Sequence, residues 1–267
     1  MSKIETFYLN VPYLNESRRI QVYLPNNYNL KSRFPVLYLH DGQNIFDSTN
    51  SFSGLSWEVG LSIDKFYNQT KNGLIVVAID NHPFQRFNEY SPWKCLNFNS
   101  LIPEWPPIDE LGGLGDKYAN WLVNDLMRYV NQNYQTKPKD NYIAGSSMGG
   151  LISLYIGYKY PAKFKAIGAF STAIWFSKNK LFDFITNAFN QETYLYLAVG
   201  TNETSSAINQ DFPKYYLNDT LELNSLVKNL GIKNSFLDIY KDAIHSESEW
   251  ALQFPNFINW LFKEKLF

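Results

Sequence analysis

Cysteine is almost absent from this chain of 267 residues. Cys95 stands alone, so no disulfide can form within the chain and no thiolate metal cluster can be assembled. Histidine is nearly as scarce, with only His40, His82 and His245. Long apolar stretches are missing. The longest unbroken runs, at 74–79 and 194–199, have six residues each, against the ~18 or more of a membrane-spanning helix. An excess of one charge is missing too: Lys and Arg total 24 against 25 Asp and Glu, a net charge of −1. That leaves no field to hold nucleic acid or an anionic membrane. The opening Met1-Ser-Lys-Ile-Glu-Thr lacks the apolar core of a signal peptide, so the expected location is the cytoplasm.

What the chain does have is aromatic rings: 20 Phe, 19 Tyr and 7 Trp, 17% of all residues, within an apolar fraction of 45%. That is material for a large core and excludes intrinsic disorder. No repeat or low-complexity linker divides the chain, and residues 1–267 are expected to form one domain.

Residues 4–11 and 19–24 alternate apolar and polar, which predicts two half-buried strands. Runs at 35–40, 74–80, 166–170, 194–199 and 236–240 are short and nearly all apolar, as strands buried on both faces are. Residues 141–144 read as a further short strand. Helical spacing or helix signals appear at 57–67, 116–134, 148–160, 180–189, 220–230 and 247–262, the last with Pro255 inside it. Strands alternating with helices predict an α/β fold: a mostly parallel central sheet with helices on both faces.

The strongest local signal is Gly145-Ser-Ser-Met-Gly-Gly150, a G-x-S-x-G with Ser147 at its centre, a strand before it and a helix after it. A nucleophile on such a turn has strained backbone angles, and the residues two away must be small so that strand and helix can approach. Gly145 and Gly149 meet that requirement. The helix start also brings backbone N–H groups near the serine, ready for a developing oxyanion.

Triads on α/β sheets of this kind run serine, acid, histidine along the chain. Only His245 follows Ser147, in a loop at the carboxyl end of a strand. His40 and His82 also end strands, and chain order sets them aside. The acid should follow the strand at 194–199, where Glu203 and Asp211 both qualify. Asp219, Glu222, Asp238 and Asp242 are worse placed.

Five segments in this order are similar to the putative-esterase family of α/β-hydrolases: Tyr38-Leu-His-Asp-Gly-Gln-Asn-Ile-Phe46, Asn88-Glu-Tyr-Ser-Pro-Trp93, Gly145–Gly150, Gly200-Thr-Asn-Glu203 and His245-Ser-Glu-Ser-Glu-Trp250. The family includes esterase D, feruloyl and acetyl-xylan esterases, siderophore trilactone esterases and mycolyltransferases. The resemblance covers roughly residues 15–265. It implies the α/β-hydrolase fold, Ser147 as nucleophile, His245 as base, and an oxyanion hole from the backbone N–H groups of Gln43 and Met148. It favours Glu203 over Asp211 as the acid, because feruloyl esterases carry Asp at the matching position and mycolyltransferases use Glu nearby. It makes His40 and Asp41 shapers of the oxyanion loop and has Glu247 capping the last helix. The implied activity is hydrolysis of a small-molecule ester of short-chain, aryl or acylated-carbohydrate type, through an acyl-enzyme and with no metal or organic cofactor. An acyltransferase with the same triad and a non-catalytic carbohydrate-binding relic are the alternatives.

Residues 81–115 are the least regular stretch, far longer than the usual ~4–6 residues of a connection. They lie after one strand and before a helix, and so emerge on the serine's edge of the sheet as a cap-like loop. Trp105, between Glu104 and Pro106-Pro107, is the candidate to stack on a sugar or aryl group, although its ring could equally join the loop's own packing.

Overall fold

A computed structural model describes residues 1–108, 110–188 and 190–266. Its ten strands are β1 (Lys3–Val11), β2 (Glu16–Leu24), β3 (Phe34–His40), β4 (Ile75–Ile79), β5 (Lys94–Cys95), β6 (Leu111–Gly112), β7 (Thr136–Ser146), β8 (Ala166–Phe170), β9 (Tyr194–Gly200) and β10 (Ser235–Tyr240). Eight form one sheet in the order β1-β2-β4-β3-β7-β8-β9-β10, and β5 and β6 make a small separate ribbon. The β1/β2 and β2/β4 pairs are antiparallel. Every other pair in the large sheet is parallel.

The helices are α1 (Val59–Thr70), α2 (Arg86–Glu89), α3 (Phe98–Leu101), α4 (Gly115–Trp121), α5 (Met127–Asn133), α6 (Met148–Lys159), α7 (Lys178–Ala188), α8 (Phe212–Asn229) and α9 (Glu247–Lys263). α4 and α5 are joined by a π-helical turn at Leu122–Leu126. One face of the sheet packs against α4 to α8, the other against α1 and α9. β3, β4 and β8 are buried along their whole length, as expected of strands covered on both faces. α6, the helix of the serine motif, buries every residue except Lys159. A helix this apolar, with no polar face, fits only where neighbours surround it.

Several boundaries differ from the sequence expectation. β7 runs over eleven residues instead of four: Thr136 pairs with Phe34 ahead of a register shift, so the ladder extends beyond the apolar stretch. β10 is the sheet's edge, with Phe236 and Ile239 more than a third exposed, so it is not a buried strand. α8 starts eight residues before the expected 220, because Phe212 and Tyr216 continue its buried stripe and Pro213 is tolerated in the first turn. The helix expected at 180–189 is α7, and Phe189 lies outside the described residues. Among the described residues no helix is long and apolar enough to cross a membrane.

Candidate active site

β7 ends at Ser146 and α6 begins at Met148, so Ser147 is the whole of the turn between them. Its backbone is forced to φ 57 and ψ −123. A non-glycine residue there is strained, and such strain collects at functional sites. Three backbone hydrogen bonds hold it: the Ser147 N–H donates to Phe170 O at 2.9 Å, and Ser147 O accepts from the Ala173 N–H at 3.1 Å and the Leu151 N–H at 3.2 Å. The glycines behave as the motif requires. A Cβ built on Gly145 would lie 2.7 Å from the carbonyl carbon and oxygen of Gly149.

His245 and Glu203, 42 residues apart, meet at the carboxyl ends of β9 and β10. His245 Nδ1 is 2.8 Å from Glu203 Oε2. Glu203 is fully buried, while the His245 side chain is 14% exposed. The other carboxylate oxygen accepts from Ser171 Oγ at 2.7 Å and from the Gly200 N–H. Ser171 Oγ in turn accepts from the Trp250 indole N–H at 2.7 Å. A buried carboxylate is costly unless its lone pairs are filled, and here each oxygen has a partner. The loops approach closely enough that a Cβ on Gly200 would sit 2.3 Å from Ala243 O. The imidazole lies between two rings, Tyr216 at 4.7 Å between centroids and 38°, and Trp250 at 5.0 Å and nearly perpendicular. Among the described residues no hydrogen bond joins Ser147 Oγ to His245.

Asp211 stands apart. It is exposed at the start of α8 and its carboxylate pairs with Lys214 at 2.8 Å. Asp242 is exposed as well.

The turn after β3 carries Gln43. Asp41 opens it in the left-handed region at φ 56, and a Cβ on Gly42 would lie 2.7 Å from the Asp80 backbone nitrogen. Asp41 is held by a two-pronged pair with Arg86 at 2.8 and 2.7 Å and by Asn81 Nδ2 at 2.6 Å. Burial opposes its charge, but the Arg86 guanidinium outweighs this and keeps the carboxyl below the usual range. His40 is buried with Nδ1 2.8 Å from the Tyr118 hydroxyl. Its pKa is pushed down to about 3, chiefly by burial, so the ring is neutral. The Gln43 side chain accepts from the Asn81 N–H at 3.2 Å. Met148 opens α6, where helical N–H groups have no partner inside the helix.

Glu247 does not cap α9. Ser246 does, its side chain accepting from the Glu249 N–H. Glu247 reaches across instead, accepting from Asn44 Nδ2 at 3.1 Å and Ser53 Oγ at 2.6 Å, and so ties the start of α9 to the turn that carries Gln43.

Trp105 is 40% exposed and sets its ring edge-on against Phe87 and Phe98 at 5.4 and 5.3 Å. Its neighbour Glu104 accepts from Ser206 Oγ and the Ala207 N–H at 2.8 and 2.7 Å, fastening segment 81–115 to the loop of Glu203. Asp109 of that segment lies outside the described residues. Two hollows of about 230 and 320 Å³ open elsewhere, and neither is lined by Ser147, Glu203 or His245.

Sequence reasoning missed Ser171, Tyr216 and Arg86. Ser171 follows a strand end as Glu203 does, with φ 46, but a lone serine carries no pattern. Trp250 stood in a quoted segment without a stated contact.

A family model for the putative esterases matches residues 12–261, and the chain belongs to that family. It is a carboxylic ester hydrolase. The uncharacterized protein YbbA of Bacillus subtilis (strain 168) is 26% identical over 251 residues, 92% of this chain and 93% of that one. The diacylglycerol acyltransferase/mycolyltransferase Ag85A of Mycobacterium leprae (strain TN) is 27% identical over 164 residues, 61% of this chain but only 43% of that protein. Among solved structures, a ferulic acid esterase superposes with a TM-score of 0.73 at 18% identity over 100% of both chains, a likeness of fold.

Proposed function

We propose that the chain is a serine esterase in which Ser147 is the nucleophile, His245 the general base and Glu203 the acid that orients it. The observation that carries this reading is the 2.8 Å contact between His245 Nδ1 and the buried Glu203, at the same sheet edge as the strained Ser147. With Nδ1–H donated to Glu203, the imidazole is the tautomer whose Nε2 can take a proton from Ser147. Serine attack on an ester carbonyl gives a tetrahedral oxyanion, which the N–H groups of Gln43 and Met148 receive. His245 protonates the leaving alcohol, and water then frees the acid.

We read residues 1–267 as one catalytic domain with 81–115 as its cap. Trp105, exposed at that cap, fits a bulky acyl or alcohol group of aryl or sugar type. The ferulic acid esterase likeness agrees with an aryl ester. A second reading, transfer of the acyl group to an alcohol, is favoured by the Ag85A relative. Product analysis with added alcohol acceptors separates the two.

Ser147→Ala tests the assignment. Turnover of p-nitrophenyl acetate should fall on the order of 10⁴-fold or more, fluorophosphonate labelling should vanish, and Tm should stay nearly unchanged. Equal labelling of the variant overturns the nucleophile.

A further inference from the structure

Tyr216 has no task in the chemistry above, yet it lies within it. It sits in the first turns of α8, fully buried, with its ring against the His245 imidazole. Its hydroxyl is paired with Ser205 Oγ at 2.5 Å, and the Trp175 indole, the Ser147 side chain and the Glu203 carboxylate are also polar neighbours. Burial pushes this phenol up to about 12, so it keeps its proton at neutral pH. Packing alone does not call for a hydroxyl here. A buried hydroxyl is unfavourable unless bonded, and phenylalanine would fill the same space. A phenol has one proton to donate. If Ser205 donates to the Tyr216 oxygen, the phenol proton is left for Ser147 Oγ.

We propose that the Tyr216 hydroxyl donates a hydrogen bond to Ser147 Oγ in the acyl-enzyme and assists departure of that oxygen in the second half of the reaction. The inference rests on Ser147 being the nucleophile. Timing follows from charge. In the free enzyme a donor to Oγ draws density away from the attacking atom and contributes little to attack. In the acyl-enzyme Oγ carries no proton and is the leaving group, so the same donor stabilises the charge that develops on it. Water adds to the acyl carbon as His245 Nε2 takes its proton. The tetrahedral adduct then collapses, the C–Oγ bond breaks with its electron pair passing to Oγ, and His245 returns the proton to Oγ. The phenol keeps its own proton throughout. The products are the free carboxylic acid and Ser147 as it began.

Tyr216→Phe keeps the ring on His245 and removes only the donor. With p-nitrophenyl acetate, kcat should fall about 10-fold or more, the size of one lost hydrogen bond to a charged group. KM should fall in step, leaving kcat/KM nearly unchanged. A burst approaching one p-nitrophenolate per active site should appear, while fluorophosphonate labelling stays near the unaltered rate. Ser205→Ala, which leaves Tyr216 in place, should shift kcat and KM the same way by a smaller factor, and it carries the test if Tyr216→Phe does not fold. A parallel loss of kcat and kcat/KM, or no change in either, overturns the proposal. Failure of the nucleophile reading looks different: the unaltered protein itself would show no label.

Discussion

The elbow at Ser147 and the segment 81–115 border the same edge of the sheet, but different forces build them. The elbow is made by the main chain. Three backbone hydrogen bonds and one glycine-to-glycine approach define it, and the helix behind it is buried almost throughout. The segment 81–115 adds to its small main-chain ribbon of β5 and β6 a set of side chains bonded to nearby main chain. Asn88 Oδ1 accepts from the Gly112 N–H at 2.7 Å, and Asn99 grips Trp105 O, Pro106 O and the Ile108 N–H at 2.8 to 3.0 Å. Its rings Phe87, Phe98 and Trp105 meet edge-on, and Phe98 meets Phe176 of the 174–176 turn in the same way. A main-chain device accepts few substitutions, whereas one built from side chains can change residue by residue. The proposed chemistry uses the first kind of structure, and the proposed substrate contact at Trp105 the second.

The comparison is tested most severely on the chemical side. Glu203→Gln should lower kcat by about 10³- to 10⁴-fold with little change in KM, since in the proposed triad this carboxylate holds the tautomer and stabilises the imidazolium. Asp211→Asn, on an exposed pair with Lys214, should leave both constants as they are. The reverse pattern in steady-state kinetics would move the acid to Asp211.

Beneath the turn that carries Gln43 the expected effect is on stability. His40 titrates near 3 when folded against 6.5 when exposed. The unfolded chain therefore binds a proton first, and stability present above pH 6.5 is lost as pH falls toward 3. Urea unfolding at pH 6.5 and 4.5 should show a loss of about 2 kcal/mol from this group. His40→Gln should flatten that part of the dependence, and an equally steep variant would refute the assignment.

Gly145→Ala forces a methyl against Gly149 backbone and should cost about 1–3 kcal/mol, seen as a lower Tm. Trp105→Ala should be the mildest change. KM for a feruloyl or glycosyl ester should rise several-fold while p-nitrophenyl acetate is spared. Equal loss on both substrates, or a fall in Tm alone, would make Trp105 packing and nothing more.

The sequence made the central strands legible because β3, β4, β8 and β9 lie between two helical layers and leave almost no polar residue to blur the run. Ser147 and His245 were legible through motif and chain order. Glu203 needed a family resemblance, since local spacing admits Asp211 equally. The rest was hidden for identifiable reasons. α8 begins on aromatic residues and a proline, which carry weak helix signals. β10 is apolar in sequence yet an edge in space, and pairing order does not appear in a local window. Ser171, Tyr216 and Arg86 act through contacts between distant segments, for which a single sequence holds no periodicity.

The bridge from Glu247 to Asn44 and Ser53 has a consequence for redesign. It joins chain positions about 200 residues apart, fastening the helix behind His245 to the connection between β3 and α1. The length of residues 47–56 is thereby a hidden dimension of the site. Lengthening that surface connection by a few residues would look harmless by exposure, yet it would slacken the strut that fixes the distance between His245 and the turn of Gln43. Grafting experiments that exchange this connection between related enzymes should carry Glu247 and its two partners as one cassette.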